Sequence, residues 1–199
     1  MDETQFLVDS IPTTTLNAIG ARQVDIETTG NEKDRMSCTL SDLMLPTYVI
    51  LKNLKYDPKC AIPNDIISEA SGISGTGFMN ENLMVEYIDK VLKPYLKDRP
   101  CLLIFDKLKA HKTDIFLDYM KKNNIQQFLI DAGFTSELQP VDVCINGPIK
   151  REFRGQWEKK NAESAAIFTK AANRKGPPYD TSFKMISKAI KTFKIVRLI

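Results

Sequence analysis

The sequence predicts an α/β fold: a mixed sheet, part antiparallel meander and part parallel strands, flanked by helices. Three observations predict it. Short alternating runs crowd the first 51 residues, the pattern of half-buried strands. Apolar runs at 101–105 and 125–130 bracket a helical pattern at 113–123. Strand, helix, strand in that rhythm is a βαβ unit with parallel pairing. Amphipathic stretches at 80–96, 141–160 and 182–198 supply helices to cover the sheet.

The elements follow in order. Residues 1–9 read as a strand. Residues 10–21 are rich in Thr and read as a loop. Residues 22–28 alternate Val24 and Ile26 with polar neighbours, and 29–33 carry a turn signal. Residues 36–40 and 48–51 complete the meander. Residues 53–77 hold Pro58, Pro63 and three glycines, which predicts irregular chain with a helical turn near 65–70. Asn80 is placed to cap the next helix, whose Leu83, Tyr87, Val91 and Leu92 repeat at three-to-four spacing. Pro94 is expected to end it early. Thr113 caps the following helix, with Ile115, Phe116, Tyr119 and Met120 on its apolar face. The last helix turns Phe183, Ile186, Ile190 and Phe193 inward.

At 199 residues the chain is long enough for one real core. The reading divides it into a domain over 1–160 and a basic extension with one helix over 161–199. Its apolar runs are too short to span a bilayer, and no leader opens it, so neither a membrane nor secretion is expected. Four scattered cysteines without a CxxC pair and a single histidine argue against zinc and against a disulfide framework. Reduced thiols in a cytosolic or nuclear compartment are expected. Residues 147–199 hold 13 Lys/Arg against 4 Asp/Glu, a balance of +9, and residues 1–146 hold 15 against 21, a balance of −6. Acids beside a basic segment suit a metal centre next to a polyanion surface; a solvated Lys-rich face explains the same numbers.

Two carboxylates stand out. Asp106 ends the buried run at 101–105, at the edge where α/β sheets place ligands. Asp142 follows Gln139 and Pro140 in the first turn of a helix, where its charge suits the macrodipole. Hard divalent ions take such oxygen ligands, and a pair of ions can drive phosphodiester chemistry. A strand-end turn and a helix-start acid are the plainer roles.

The stretches FDKLKAHKTD and GFTSELQPVDVCINGPIKREFR resemble the second and third acidic motifs of DDE superfamily transposases of the pogo, Tigger and jerky type. MDETQFLVD is similar to the segment bearing that family's first acid, and TTGNEKDRMSCTL to its turn. The resemblance implies a ribonuclease-H-like fold, with Asp2, Asp106 and Asp142 as catalytic and metal-binding triad and two Mg²⁺ or Mn²⁺ ions as cofactor. It implies DNA as partner, the nucleus as compartment, no small-molecule substrate, and a homodimer as a further expectation. Lys150, Arg151 and Arg154 are the candidate phosphate contacts, and His111 is a candidate orienting residue or helix cap. Gln139 reads as a loop hydrogen bonder and Trp157 as a packing residue. Departures from the pattern include Lys107 after Asp106, a shortened meander, and a start one residue before the first acid. They imply a copy truncated at its N-terminus. The alternatives are a domesticated, non-catalytic module that binds nucleic acid or a protein partner, and a decayed fragment of a mobile element.

Overall fold

The larger sheet holds four strands in the order β1 (Asp2–Leu7), β2 (Arg35–Leu40), β3 (Thr47–Leu51) and β4 (Ile66–Ala70). This is a computed structural model, and it describes residues 1–7, 35–41, 45–51, 61–70, 77–107, 113–131, 133–163 and 178–197. The strand and turn expected over 22–33 lie outside the described residues. β1 pairs antiparallel with β2 and β2 with β3, while β4 runs parallel to β3. A second sheet joins β5 (Cys101–Asp106) to β6 (Ile125–Ile130) in parallel, with α3 (Asp114–Lys122) between them in sequence. The mixed α/β architecture and the βαβ unit are therefore as the sequence predicts.

The region predicted as irregular, with a helical turn at 65–70, is corrected. Residues Ile66–Ala70 form β4. Pro63 lies just ahead of the strand, and its carbonyl accepts from Ile66 N at 2.9 Å. Thr47 N donates to the carbonyl of Asp65 at 2.8 Å, and that bond starts the parallel ladder at the first residue of β3.

Alternation along β1 to β3 divides the core. One face carries Phe6, Met36, Cys38, Leu40, Val49 and Leu51 and packs against α5 (Asn146–Glu163) and α6 (Tyr179–Arg197). The other carries Tyr48 and Ile50 and packs against α1 (Glu81–Tyr87), α3 and the inner face of β5. Phe183, Ile186 and Ile190 of α6 are buried as predicted, and Phe193 is partly buried.

Helix starts follow their capping residues. The Asn80 side chain accepts from Leu83 N at 3.0 Å, and Thr113 Oγ1 accepts from Phe116 N at 3.4 Å. Pro94 does not end its helix. A wide π-helical turn at Ile88–Leu92 leads into α2 (Lys93–Leu96), which runs past the proline. Proline lacks an N–H and crowds the carbonyl four residues back, and a widened turn accommodates both. On α3, Ile115 is 69% exposed and lies off the apolar face, which Phe116 and Met120 carry.

One polar clamp fastens α6 to the sheet. Ser187 Oγ donates to both Asp65 carboxylate oxygens at 2.8 and 2.9 Å, and Lys191 Nζ reaches Oδ1 at 3.2 Å. Burial alone would raise the Asp65 carboxyl, yet these two donors hold it below the usual value. A depressed folded-state pKa gives stability present above the unfolded value and lost as pH falls through the folded one. Asp65→Ala is thus expected to cost about 1–2 kcal/mol at neutral pH. The gap to wild type should close below the ordinary carboxylate range, as read by urea melts across acid pH.

Candidate active site

Asp2 opens β1 opposite Leu40 of β2. It shares its side of the strand with Thr4 and Phe6, both buried. That side faces α5: the rings of Phe6 and Phe153 meet edge to face at 5.0 Å and 64°. From Asp2 to Phe6 the strand covers roughly 13 Å, and from Asn146 to Phe153 the helix covers roughly 10 Å. One end of this strand–helix contact is aromatic, and the other is polar.

At the polar end, the Asn146 amide joins two acids. Its Nδ2 donates to Asp2 Oδ2 at 2.8 Å and to Asp142 Oδ1 at 2.8 Å. Asp142 lies in a π-helical turn, Val141–Ile145, just before α5. Such widened turns recur at functional sites. Asp142 is exposed, Asp2 is half-buried, and Asn146 beneath them is 8% exposed. Burial pushes the Asp2 carboxyl up to about 6; the Asn146 bond opposes this, and the neighbouring Asp142 charge adds to it. Two carboxylates are held close at a cost that a cation would remove.

Gln139 completes the floor. It is 1% exposed, and its Nε2 donates to the carbonyl of Met1 at 3.3 Å. The hydrogen-bonding role read from sequence is the one observed. Two buried oxygens here, Gln139 Oε1 and Asn146 Oδ1, have no hydrogen-bond partner among the described residues. Buried carbonyl oxygens left in that state are uncommon and mark a place for a water or an ion.

Asp106 ends β5 opposite Ile130. Phe105 points into the core, so alternation turns Asp106 toward the opposite side of its sheet. The backbone nitrogen of Met1 donates to the carbonyl of Ile104 at 2.8 Å and ties the start of β1 to β5. Burial lowers the Met1 amine, and both Asp2 and Asp106 act on it in the raising direction. Both acids thus flank Met1. Even so, among the described residues no three Asp, Glu, His or Cys side chains stand close enough to hold one ion. Asp2 and Asp142 are brought together, and Asp106 is not in their group. Lys107 pairs with Asp131, so its ammonium is engaged across the strand ends. Lys150, Arg151 and Arg154 are exposed on α5, beside the buried stripe of Ile149, Phe153 and Trp157. Trp157 packs in the core. His111 lies outside the described residues.

Asn146 is the residue that sequence reasoning missed. The signal was there: a carboxamide amid the buried positions Ile145, Ile149, Phe153 and Trp157 of one helix, four residues after Asp142. A polar side chain on an apolar stripe needs a partner.

Two carboxylates distant in the chain thus meet at the start of a helix, and such oxygen donors are the kind that hard cations take. The chain belongs to the DDE superfamily endonucleases: that family's model matches residues 36–198. Asp106 and Asp142 fall within the match, and Asp2 precedes it. The chain is similar to the mouse (Mus musculus) "Pogo transposable element with KRAB domain", 27% identical over 184 residues, covering 89% of the chain and 30% of that protein. The human (Homo sapiens) protein of the same name gives the same figures. A human "Pogo transposable element with ZNF domain" is 23% identical over 174 residues, 83% of the chain and 12% of that protein. The chain therefore spans about a third or less of the length of these relatives. Nucleases of this superfamily generally use divalent metal ions. The donors present here fit such an ion: two carboxylates, two orphaned amide oxygens and no competing soft ligand in the group.

Proposed function

We propose that this domain is a transposase-derived DNA endonuclease and strand transferase of ribonuclease-H-like architecture, working in the nucleus with two Mg²⁺ or Mn²⁺ ions. The observation that carries the reading is the convergence of Asp2 and Asp142 on one buried amide. Residues so far apart in sequence meet at a helix start, inside a family of endonucleases. Asp2 and Asp142 would supply carboxylate ligands to such an ion. Asp106, at the end of the neighbouring strand, supplies the remaining carboxylate. Bound divalent ions supply activation of the attacking oxygen and neutralisation of the leaving one. Asn146 bridges the two acids, and Gln139 fastens the Met1 carbonyl next to Asp2. Lys150, Arg151 and Arg154 hold the DNA backbone beside them.

Nicking of supercoiled DNA in Mn²⁺, with Asp106→Asn as control, tests this. Nicking is expected from the wild type and not from the variant; equal nicking by both rejects the enzyme. A second reading, a domesticated DNA-binding module without catalysis, is favoured by the separation of Asp106 from the acid pair. It predicts binding that needs no divalent ion. Under either reading, each of Lys150→Ala, Arg151→Ala and Arg154→Ala is expected to lower the slope of log affinity against log salt by about 1. Unchanged slopes in a fluorescence-anisotropy titration would make that strip a solvated face.

A further inference from the structure

We infer that Asn146 is a ligand of the cation site, its amide nitrogen standing in the cation's place until the side chain turns over and presents Oδ1. The inference rests on the metal-dependent reading above and adds a residue to it. Three observations support it. Asn146 Nδ2 lies 2.8 Å from an oxygen of each acid, so one donor already occupies the point on which both carboxylates converge. Asn146 Oδ1 is buried without a partner among the described residues, on a residue 8% exposed. Among the described residues no third Asp, Glu, His or Cys side chain joins this pair, and an octahedral ion takes more oxygens than two carboxylates supply, amide oxygens among them.

The two orientations of the amide have opposite demands. Ionised carboxylates only accept, so with no ion present they take the –NH₂ end. With a cation between them the same –NH₂ is repelled, and the carbonyl end is attracted. A half turn about the last side-chain bond exchanges the two ends without moving the helix. The turn satisfies Oδ1 and moves the –NH₂ to the place where Oδ1 stood without a partner, so it is favoured only with an ion bound. Asparagine at this position thus stabilises both states of the acid pair. Aspartate would serve only the loaded state, and leucine would serve neither.

Mn²⁺ binding to the full chain, followed by electron paramagnetic resonance of the free ion, gives the first measurement. Asn146→Leu is expected to weaken binding by about tenfold to a hundredfold, while Asn146→Asp retains it. Asp142→Asn, which tests the underlying reading, is expected to abolish binding. If Asp142→Asn binds as the wild type does, the metal-site reading fails and this inference with it. If Asp142→Asn loses the ion and Asn146→Leu keeps it, the inference alone falls. A second measurement needs no variant. On titration with Mg²⁺, the side-chain NH₂ resonances of Asn146 should leave their hydrogen-bonded position as the acids release them. Resonances that stay in place at saturating Mg²⁺ would show a permanent brace, and Asn146 would not be a ligand.

Discussion

Asp2→Asn is expected to abolish Mn²⁺-dependent nicking and, in the same tube without metal, to melt at a higher temperature than the wild type. The first effect is the larger. Loss of a ligating carboxylate removes several kcal/mol of transition-state stabilisation, so a fall of ~1000-fold or more is expected. The second follows from the environment of Asp2. Burial, and then the Asp142 charge, push its carboxyl up to about 6 against the Asn146 bond. An acid whose folded-state pKa is raised gives stability that is full below the unfolded value and lost as pH rises through the folded one. Above pH 6 the ionised Asp2 therefore works against the fold. Two units correspond to ~3 kcal/mol at most; the site is open to water, and screening reduces this to on the order of 1 kcal/mol. For a chain of this size the midpoint should rise by roughly 2–4 °C. Added Mn²⁺ should reverse the order, because only the wild type gains from binding. A variant that melts lower without metal would mean that the two acids do not repel.

The second large effect is structural. Phe153→Ala is expected to cost about 3–5 kcal/mol, read from the urea midpoint at constant slope. Phe153 is 4% exposed and meets Phe6 edge to face. That contact fixes β1 against α5 two turns along from Asn146. The loss should therefore reach the acids: Mn²⁺ affinity should fall in Phe153→Ala although no ligand is touched. Trp157→Ala, one turn further from Asn146, should cost similar stability with a smaller loss of affinity. Equal affinities in both variants and the wild type would uncouple the aromatic end of the contact from the polar end.

Much of the architecture was legible because period and punctuation agreed. Asn80 and Thr113 announce their helices and cap them. The continuous apolar run before Asp106 announces a parallel strand. β4 was hidden because Pro63 and the glycines beyond residue 70 dominate a five-residue strand whose stability comes from β3 alongside it. Ile115 was misassigned because α3 turns Phe116 and Met120, four residues apart, to the core, and Ile115 falls beside that stripe. The widened turns at Ile88–Leu92 and Val141–Ile145 leave no local mark beyond the nearby prolines. At the site, the likeness to a family pointed to Asp2 and Asp142 as partners, and tertiary contact places them together. Asn146 lies inside the third acidic motif, four residues after Asp142, but the likeness gives it no role, and only the fold reveals what it touches.

The acid pair joins the chain's opening strand to a helix some 140 residues further on. During synthesis β1 leaves the ribosome long before α5 does. Until translation has passed Asn146, the first aspartate has no counterpart within reach. Any chemistry that requires both acids is therefore withheld from a half-made polypeptide and begins only once nearly the whole domain has emerged.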